Sequence, residues 1–159
     1  MLSTKQWLGV AALLSGISYA VWLEFQTESS VAAESRWSAI PYTDKEAVAK
    51  GRELYMRSCA ACHGADLKGQ PNWRKRDSAG YLPAPPHDES GHTWHHEDQQ
   101  LFVMVKEGVK AVVGDDYRTN MRAFGDQLSD DQIWTILAYI KSTWPQKIIA
   151  AHNRFTQEP

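Results

Sequence analysis

Five consecutive residues, Cys59-Ala60-Ala61-Cys62-His63, bring two thiols and an imidazole together within about one turn of chain. That spacing suits a covalently attached haem: the thiols add to the two vinyl groups, and the next residue places its imidazole on the iron. A redox-active Cys-X-X-Cys shares the spacing, but it would follow a strand in an alternating pattern that the neighbouring sequence lacks. Half of a zinc site is a third reading, with His92, His95 and His96 as nominal further ligands. Only the haem reading uses His63 at its fixed place. Because these are the only two cysteines, a disulfide framework and a four-thiolate metal site are both excluded.

An iron that carries electrons takes Met or His as its sixth ligand. Among the four methionines, Met1 is terminal, Met56 precedes Cys59 on the same side of the haem, and Met104 falls in an apolar helical stripe suited to a core. Met121 remains, 58 residues after His63, far enough for the chain to pass round the haem edge to the opposite face. His63 and Met121 are therefore the expected iron ligands. The competitors are His87, His92, His95 and His96, a cluster of the kind that binds metals, either as a bis-His partner or as a separate copper site.

What surrounds these residues bounds the rest of the molecule. A chain of 159 residues has room for one ordinary domain of roughly 100–150 residues plus an appendage. Its net charge of -2 leaves no basic footprint for a nucleic-acid partner. Seven Trp and six Tyr suit a small domain wrapped around a large flat apolar ligand.

Residues Trp7 to Leu23 carry no charge and, as a helix, span roughly 25 Å, close to the hydrocarbon thickness of a bilayer. Trp7 and Trp22 bracket the run at the expected headgroup levels, and Lys5 marks the cytoplasmic side. The competing reading is a signal peptide, although Ser18-Tyr19-Ala20 is followed by further apolar residues and Ser30-Val31-Ala32 lies late. The expectation is a single-pass anchor over residues 1–25 in the inner membrane of a bacterium, with the rest on the periplasmic side.

Residues 26–42 are polar, without a helical period, and read as a linker. The domain is expected over 43–145. Thr43-Asp44-Lys45-Glu46 has capping-box form and opens a helix that delivers the chain into Cys59. From Gly64 to Gly91 glycine and proline punctuate a long wrapping loop. A second helix is predicted within His95 to Glu107, stopped by Gly108. Ser129-Asp130-Asp131-Gln132 is a second capping box, opening a helix that Pro145 ends. No strand-like alternation is present, so the domain is all-α. Residues 146–159 read as a short basic-amphipathic C-terminal extension.

In three blocks the sequence resembles the class I c-type cytochromes: GRELYMRSCAACHG, PAPPHDESGHTWHH and NMRAFGDQLSDDQIWTILAYIKSTWP. The resemblance covers about 100 residues, Thr43 to Pro145, and implies the cytochrome c fold, with helices and long loops around one covalent haem c. In that family the third block supplies the axial methionine, usually followed by Pro; here Met121 is followed by Arg122. The terminal helices of the family cross at a Gly and an aromatic, matched by Gly51, Tyr55 and Tyr139. A loop proline fixes the proximal imidazole through its carbonyl, a part for Pro83 or Pro85, and a Trp or Arg often binds a haem propionate, a part for Trp94, Tyr81 or Arg74.

With both axial positions filled, the implied activity is single-electron transfer rather than catalysis, in a membrane respiratory or photosynthetic chain, with a respiratory complex or terminal oxidase as partner. Lys68, Arg74, Lys75 and Arg76 form a basic run that reads either as a docking face or as a solvated loop. Two rivals stay open: a five-coordinate sensor or enzyme in which Met121 dissociates, and a copper module using His87, His92, His95 and His96.

Overall fold

A carboxylate starts the first helix, one position after the hydroxyl that the sequence pattern suggests. In the computed structural model, which describes residues 35–157, helix α1 runs Lys45–Ser58 with Asp44 as its N-cap, accepting from the backbone N–H of Glu46 (2.9 Å) and Ala47 (3.0 Å). Asp44 wins over Thr43 because a charged acceptor satisfies two free N–H groups and also complements the positive end of the helix dipole. Cys59 closes α1, and a single turn, α2 (Ala60–His63), follows directly.

A 3-10 turn over Thr93–His95 precedes α3 (Asp98–Lys106), which begins three residues later than predicted, so the histidines at 95 and 96 lie before the helix. A second single turn, α4, spans Lys110–Val113. Helix α5 (Asp130–Ser142) opens on the predicted capping box: Ser129 Oγ accepts from Gln132 N, and Gln132 Oε1 accepts from Ser129 N. The last helix, α6, runs Gln146–Gln157. All regular structure among the described residues is helical.

Helices α1 and α5 cross where Gly51 meets Thr135. A Cβ on Gly51 would lie 1.8 Å from the Thr135 carbonyl oxygen, so only glycine permits this approach. One turn on, the rings of Tyr55 and Tyr139 pack at 5.4 Å. Around the crossing α5 buries Ile133, Trp134, Ile136, Leu137 and Ile140, and α3 adds Leu101 and Phe102, whose ring stacks on Trp134 at 4.6 Å.

Two flanks that read as appendages from sequence are packed onto this core. Pro145 ends one helix and starts the next, since its carbonyl accepts from Ile148 N (2.8 Å) and Ile149 N (3.1 Å), and α6 then buries Ile149 and His152. On the other side, Ile40 is buried and its N–H donates to Asp98 Oδ2 at 2.8 Å, while Ser35 Oγ donates to Asp131 Oδ1 at 2.6 Å. The predicted linker is thus tied to the domain at Ser35 and Ile40, and its residues 26–34 lie outside the described residues. The expected anchor over 1–25 lies outside the described residues; among those described, no helix is long and apolar enough to cross a membrane.

A buried charge cluster joins these flanks. Asp98 Oδ1 lies 3.4 Å from Lys141 Nζ and 3.6 Å from His152 Nδ1. His152 Nε2 donates to the His96 carbonyl at 2.9 Å, which places the ring proton there and leaves Nδ1 without a hydrogen-bond partner. Burial pulls the Lys141 ammonium below its ordinary pKa, and the Asp98 charge and hydrogen bond oppose this. Burial, then the Lys141 charge, likewise hold His152 below the usual imidazole value against the pull of the His96 carbonyl and Asp98.

Candidate functional site

The last turn of α1 hands the backbone to α2 without a break: Cys59 N donates to Tyr55 O, and both Cys62 N and His63 N donate to Cys59 O. One turn therefore presents a half-buried Cys59, an exposed Cys62 and a buried His63, with both thiols free. Gly64, at φ +81°, turns the chain away, and Tyr55 Oη donates to the Gly64 carbonyl at 2.8 Å, pinning the turn from inside the core. Burial raises the Tyr55 phenol well above its ordinary pKa, so it remains a donor at any physiological pH.

Two loops then lie side by side. Gly69 N donates to His63 O, Gln70 N to Ala84 O, and His87 N to Leu67 O. Gly69, at φ +67°, sits so close that a Cβ would meet Ala84 O and the carbonyl carbon of Pro85, each at 2.6 Å. This close approach aims the Pro85 carbonyl at His63, whose Nδ1 lies 2.8 Å from it. A carbonyl only accepts, so Nδ1 carries the proton and the Nε2 lone pair is left for a metal. Burial lowers the His63 pKa, against the pull of the Pro85 carbonyl, and keeps the ring in its neutral, ligating form. Of the two candidate prolines, it is Pro85 that makes this bond; Pro83 lies half-buried earlier in the loop.

Met121 lies half-buried in the loop between α4 and α5, its N–H donating to Thr119 Oγ1 at 3.0 Å. Just beyond it the chain docks on the end of α3: Phe124 N donates to Val105 O (3.0 Å) and Gly125 N to Lys106 O (2.9 Å). The other predicted residues are dispersed. Arg74 is exposed, donates to Ser90 O and covers the Trp73 ring at 3.9 Å. Tyr81 closes a backbone turn with Asp77. Trp94 packs against the core and stacks on His95 at 3.6 Å, and its buried Nε1–H has no partner.

Of the four histidines only two meet one another: the rings of His92 and His96 pack edge to face at 5.6 Å. His87 stacks on His63, His92 also lies against Trp73, His95 against Trp94, and His96 Nδ1 pairs with Gln100 Oε1. Among the described residues no three His, Cys, Asp or Glu side chains come together to hold a metal ion. Copper and zinc readings therefore lack a donor set there. Burial, then Cys62, push the Cys59 thiol up to about 11, so Cys59 is poorly suited to act as the thiolate nucleophile of a redox dithiol.

The remaining features fit a haem c. Two free thiols and an imidazole with its second nitrogen tied back match the attachment chemistry, and the orphaned Trp94 N–H is a donor suited to a propionate carboxylate. Residues that the sequence reading did not assign are Gly69, which permits the Pro85 approach, and Trp144, whose Nε1 donates to the His87 carbonyl at 2.7 Å. Neither leaves a local signal, because each acts on a segment remote in sequence.

Comparison with known proteins agrees. The cytochrome c family model matches residues 48–144. Subunit FixP of the Cbb3-type cytochrome c oxidase of Sinorhizobium medicae (strain WSM419) is 26% identical over 105 residues, 65% of this chain and 32% of that protein. Thiosulfate dehydrogenase of Stutzerimonas stutzeri (strain A1501) is 28% identical over 98 residues, 60% of this chain and 27% of that one. The chain thus spans less than a third of the length of these curated relatives. The crystal structure of cytochrome CL from Methylophaga aminisulfidivorans MPT aligns at TM-score 0.46 with 20% identity, covering 74% of this chain and 70% of that one.

Proposed function

Because this chain belongs to the cytochrome c family and so binds haem c covalently, we propose that it is a single-electron carrier in which His63 and Met121 occupy the two axial positions of one haem held by Cys59 and Cys62. The observation that carries this reading is the 2.8 Å bond between His63 Nδ1 and the Pro85 carbonyl. When bound, the haem supplies a one-electron iron couple. The protein's part is to hold and tune: the carbonyl fixes the proximal ring and raises its basicity, while α1 and the Gly64 to Pro86 loop bury it.

Filling both axial positions leaves no open iron site for a substrate, which favours a carrier over an enzyme. A thioether opposite an imidazole raises the potential relative to two imidazoles. The exposed Lys68, Arg74, Lys75 and Arg76 offer a docking face for a membrane respiratory or photosynthetic complex or terminal oxidase, in keeping with the FixP relative, itself an oxidase subunit. We place the chain in the inner membrane through residues 1–25, with the haem domain on the periplasmic side; the uncharged run from Trp7 to Leu23 and Lys5 support this.

Intact mass of the purified full-length chain and optical spectra test the reading together. One haem added to the polypeptide mass, with a methionine-linked near-infrared band in the oxidised protein that disappears in Met121→Ala, is the expected result. A band that survives in Met121→Ala overturns the ligand assignment, and so does a wild-type protein without the band, which points to a bis-His haem or to an open-site sensor or enzyme.

A further inference from the structure

The sequence places His87 with the other histidines as a possible copper ligand, but in the structure it is a neighbour of the proximal imidazole. Its ring lies almost parallel to that of His63, with centroids 4.1 Å apart and planes inclined by 23°. The polar contacts of His87 reach three separate segments. The backbone N–H donates to Leu67 O at 2.7 Å, the carbonyl accepts Trp144 Nε1 at 2.7 Å, and Nδ1 pairs with the hydroxyl of buried Thr93 at 2.8 Å. Thr93 Oγ1 in turn donates to the Pro86 carbonyl, so that its lone pairs face Nδ1 and the ring proton sits there. The ring edge meets Tyr55 at 6.2 Å and 73°, closing the far side. These contacts fix the backbone of His87 and, through Nδ1, its ring.

His63 is held less completely. Its attachment to α2 and the bond from Nδ1 to Pro85 set the ring's direction, and a small torsional play about the soft Cβ–Cγ bond is left to the ring plane. Packing against the ring face narrows that play, and His87 is what lies there at stacking distance. The play matters because overlap between an imidazole π orbital and the iron d orbitals depends on the direction of the ring plane.

We propose that His87 is a positioning residue for the proximal ligand: its pinned imidazole sets the plane of the His63 ring, and through that plane the electronic structure of the iron. The inference rests on the reading that His63 ligates a haem. The brace connects the site to the end of α5, because Trp144 holds the His87 carbonyl.

Four single variants of the haem-loaded full chain test this: His87→Phe keeps a flat ring, His87→Leu keeps apolar bulk without flatness, His87→Ala removes both, and Thr93→Val removes the Nδ1 partner together with the long Thr93 bond to the Pro86 carbonyl while leaving the His87 ring in place. Intact mass and the near-infrared band are read first, in wild type and variants, so that a failure of the haem or ligand assignment is seen in the wild type before any variant is interpreted. Electron paramagnetic resonance g values and haem-methyl proton shifts of the oxidised protein then report ring orientation, and a redox titration reports potential. The expected result is a displaced g tensor, methyl-shift pattern and potential in His87→Leu and His87→Ala, a smaller displacement in the same sense in Thr93→Val, and near-wild-type values in His87→Phe. Wild-type spectra in His87→Leu overturn the proposal. So does a His87→Phe protein displaced as far as His87→Leu, which would make the ring's flatness irrelevant.

Discussion

Asp98→Asn removes one negative charge from the centre of the molecule while keeping the size and shape of the side chain. Lys141 Nζ, 3.4 Å from Asp98 Oδ1 on a side chain only 2% exposed, then faces no counter-charge, because the neighbouring His152 ring is neutral or positive and never negative. Breaking a buried ion pair from one side costs about 3–5 kcal/mol, against a total stability of roughly 5–15 kcal/mol for an ordinary domain. For a domain of this size the melting temperature should fall by roughly 10–15 °C. The loss has an exit, since Lys141 can give up its proton. Its pKa is already lowered by burial and held up by Asp98, so in Asp98→Asn it drops further below the unfolded value. The unfolded chain then binds more protons, and stability rises with pH. Thermal and urea unfolding followed by circular dichroism between about pH 7 and 9 reads both effects. The double variant Asp98→Asn/Lys141→Met, which removes the stranded cation, should recover most of the loss. A cost below about 1 kcal/mol in the single variant, or a double variant no more stable than the single, refutes the reasoning.

The other expected outcomes concern single contacts. His152 has its folded pKa below the unfolded value, so it binds its proton more tightly when unfolded, and stability present at pH 7 is lost as pH falls below about 6.5; urea unfolding of His152→Gln, whose amide still donates to His96 O, should show a shallower acid limb. Gly51→Ala drives a methyl into the Thr135 carbonyl and should destabilise by about 3 kcal/mol or more, read as a lower melting temperature and reduced haem incorporation. Ser129→Ala removes the acceptor for Gln132 N and should cost about 1 kcal/mol in denaturant unfolding with optical spectra unchanged.

What was legible in the sequence was local. Cys59, Cys62 and His63 announce themselves because their chemistry is set by consecutive positions, and the Ser129 cap because both its partners lie within three residues. Thr43 and Asp44 are adjacent acceptors that pattern alone cannot rank; charge at a helix dipole decides for Asp44. The choice of Pro85 over Pro83 depends on Gly69 lying against Ala84 and Pro85, a pairing between loops that no periodicity records. The surroundings of the histidines were hidden for the same reason, since closeness in sequence says nothing about which aromatic each ring will stack on. Helix α6 was legible only as an amphipathic extension, because its most buried side chain is polar: His152 donates to a carbonyl of a remote segment, and a lone histidine in a charged stretch reads as surface.

The strap formed by Ser35 to Ile40 decides where a load on the N-terminal side of the domain is borne. Ser35 bonds to Asp131 in the first turn of α5, and the Ile40 N–H bonds to Asp98 at the start of α3. Asp98 in turn faces Lys141 in the last turn of α5 and His152 in α6. A pull at Ser35 is therefore shared among three helices before it reaches α1, and the turn that holds Cys59 and His63 is shielded from it.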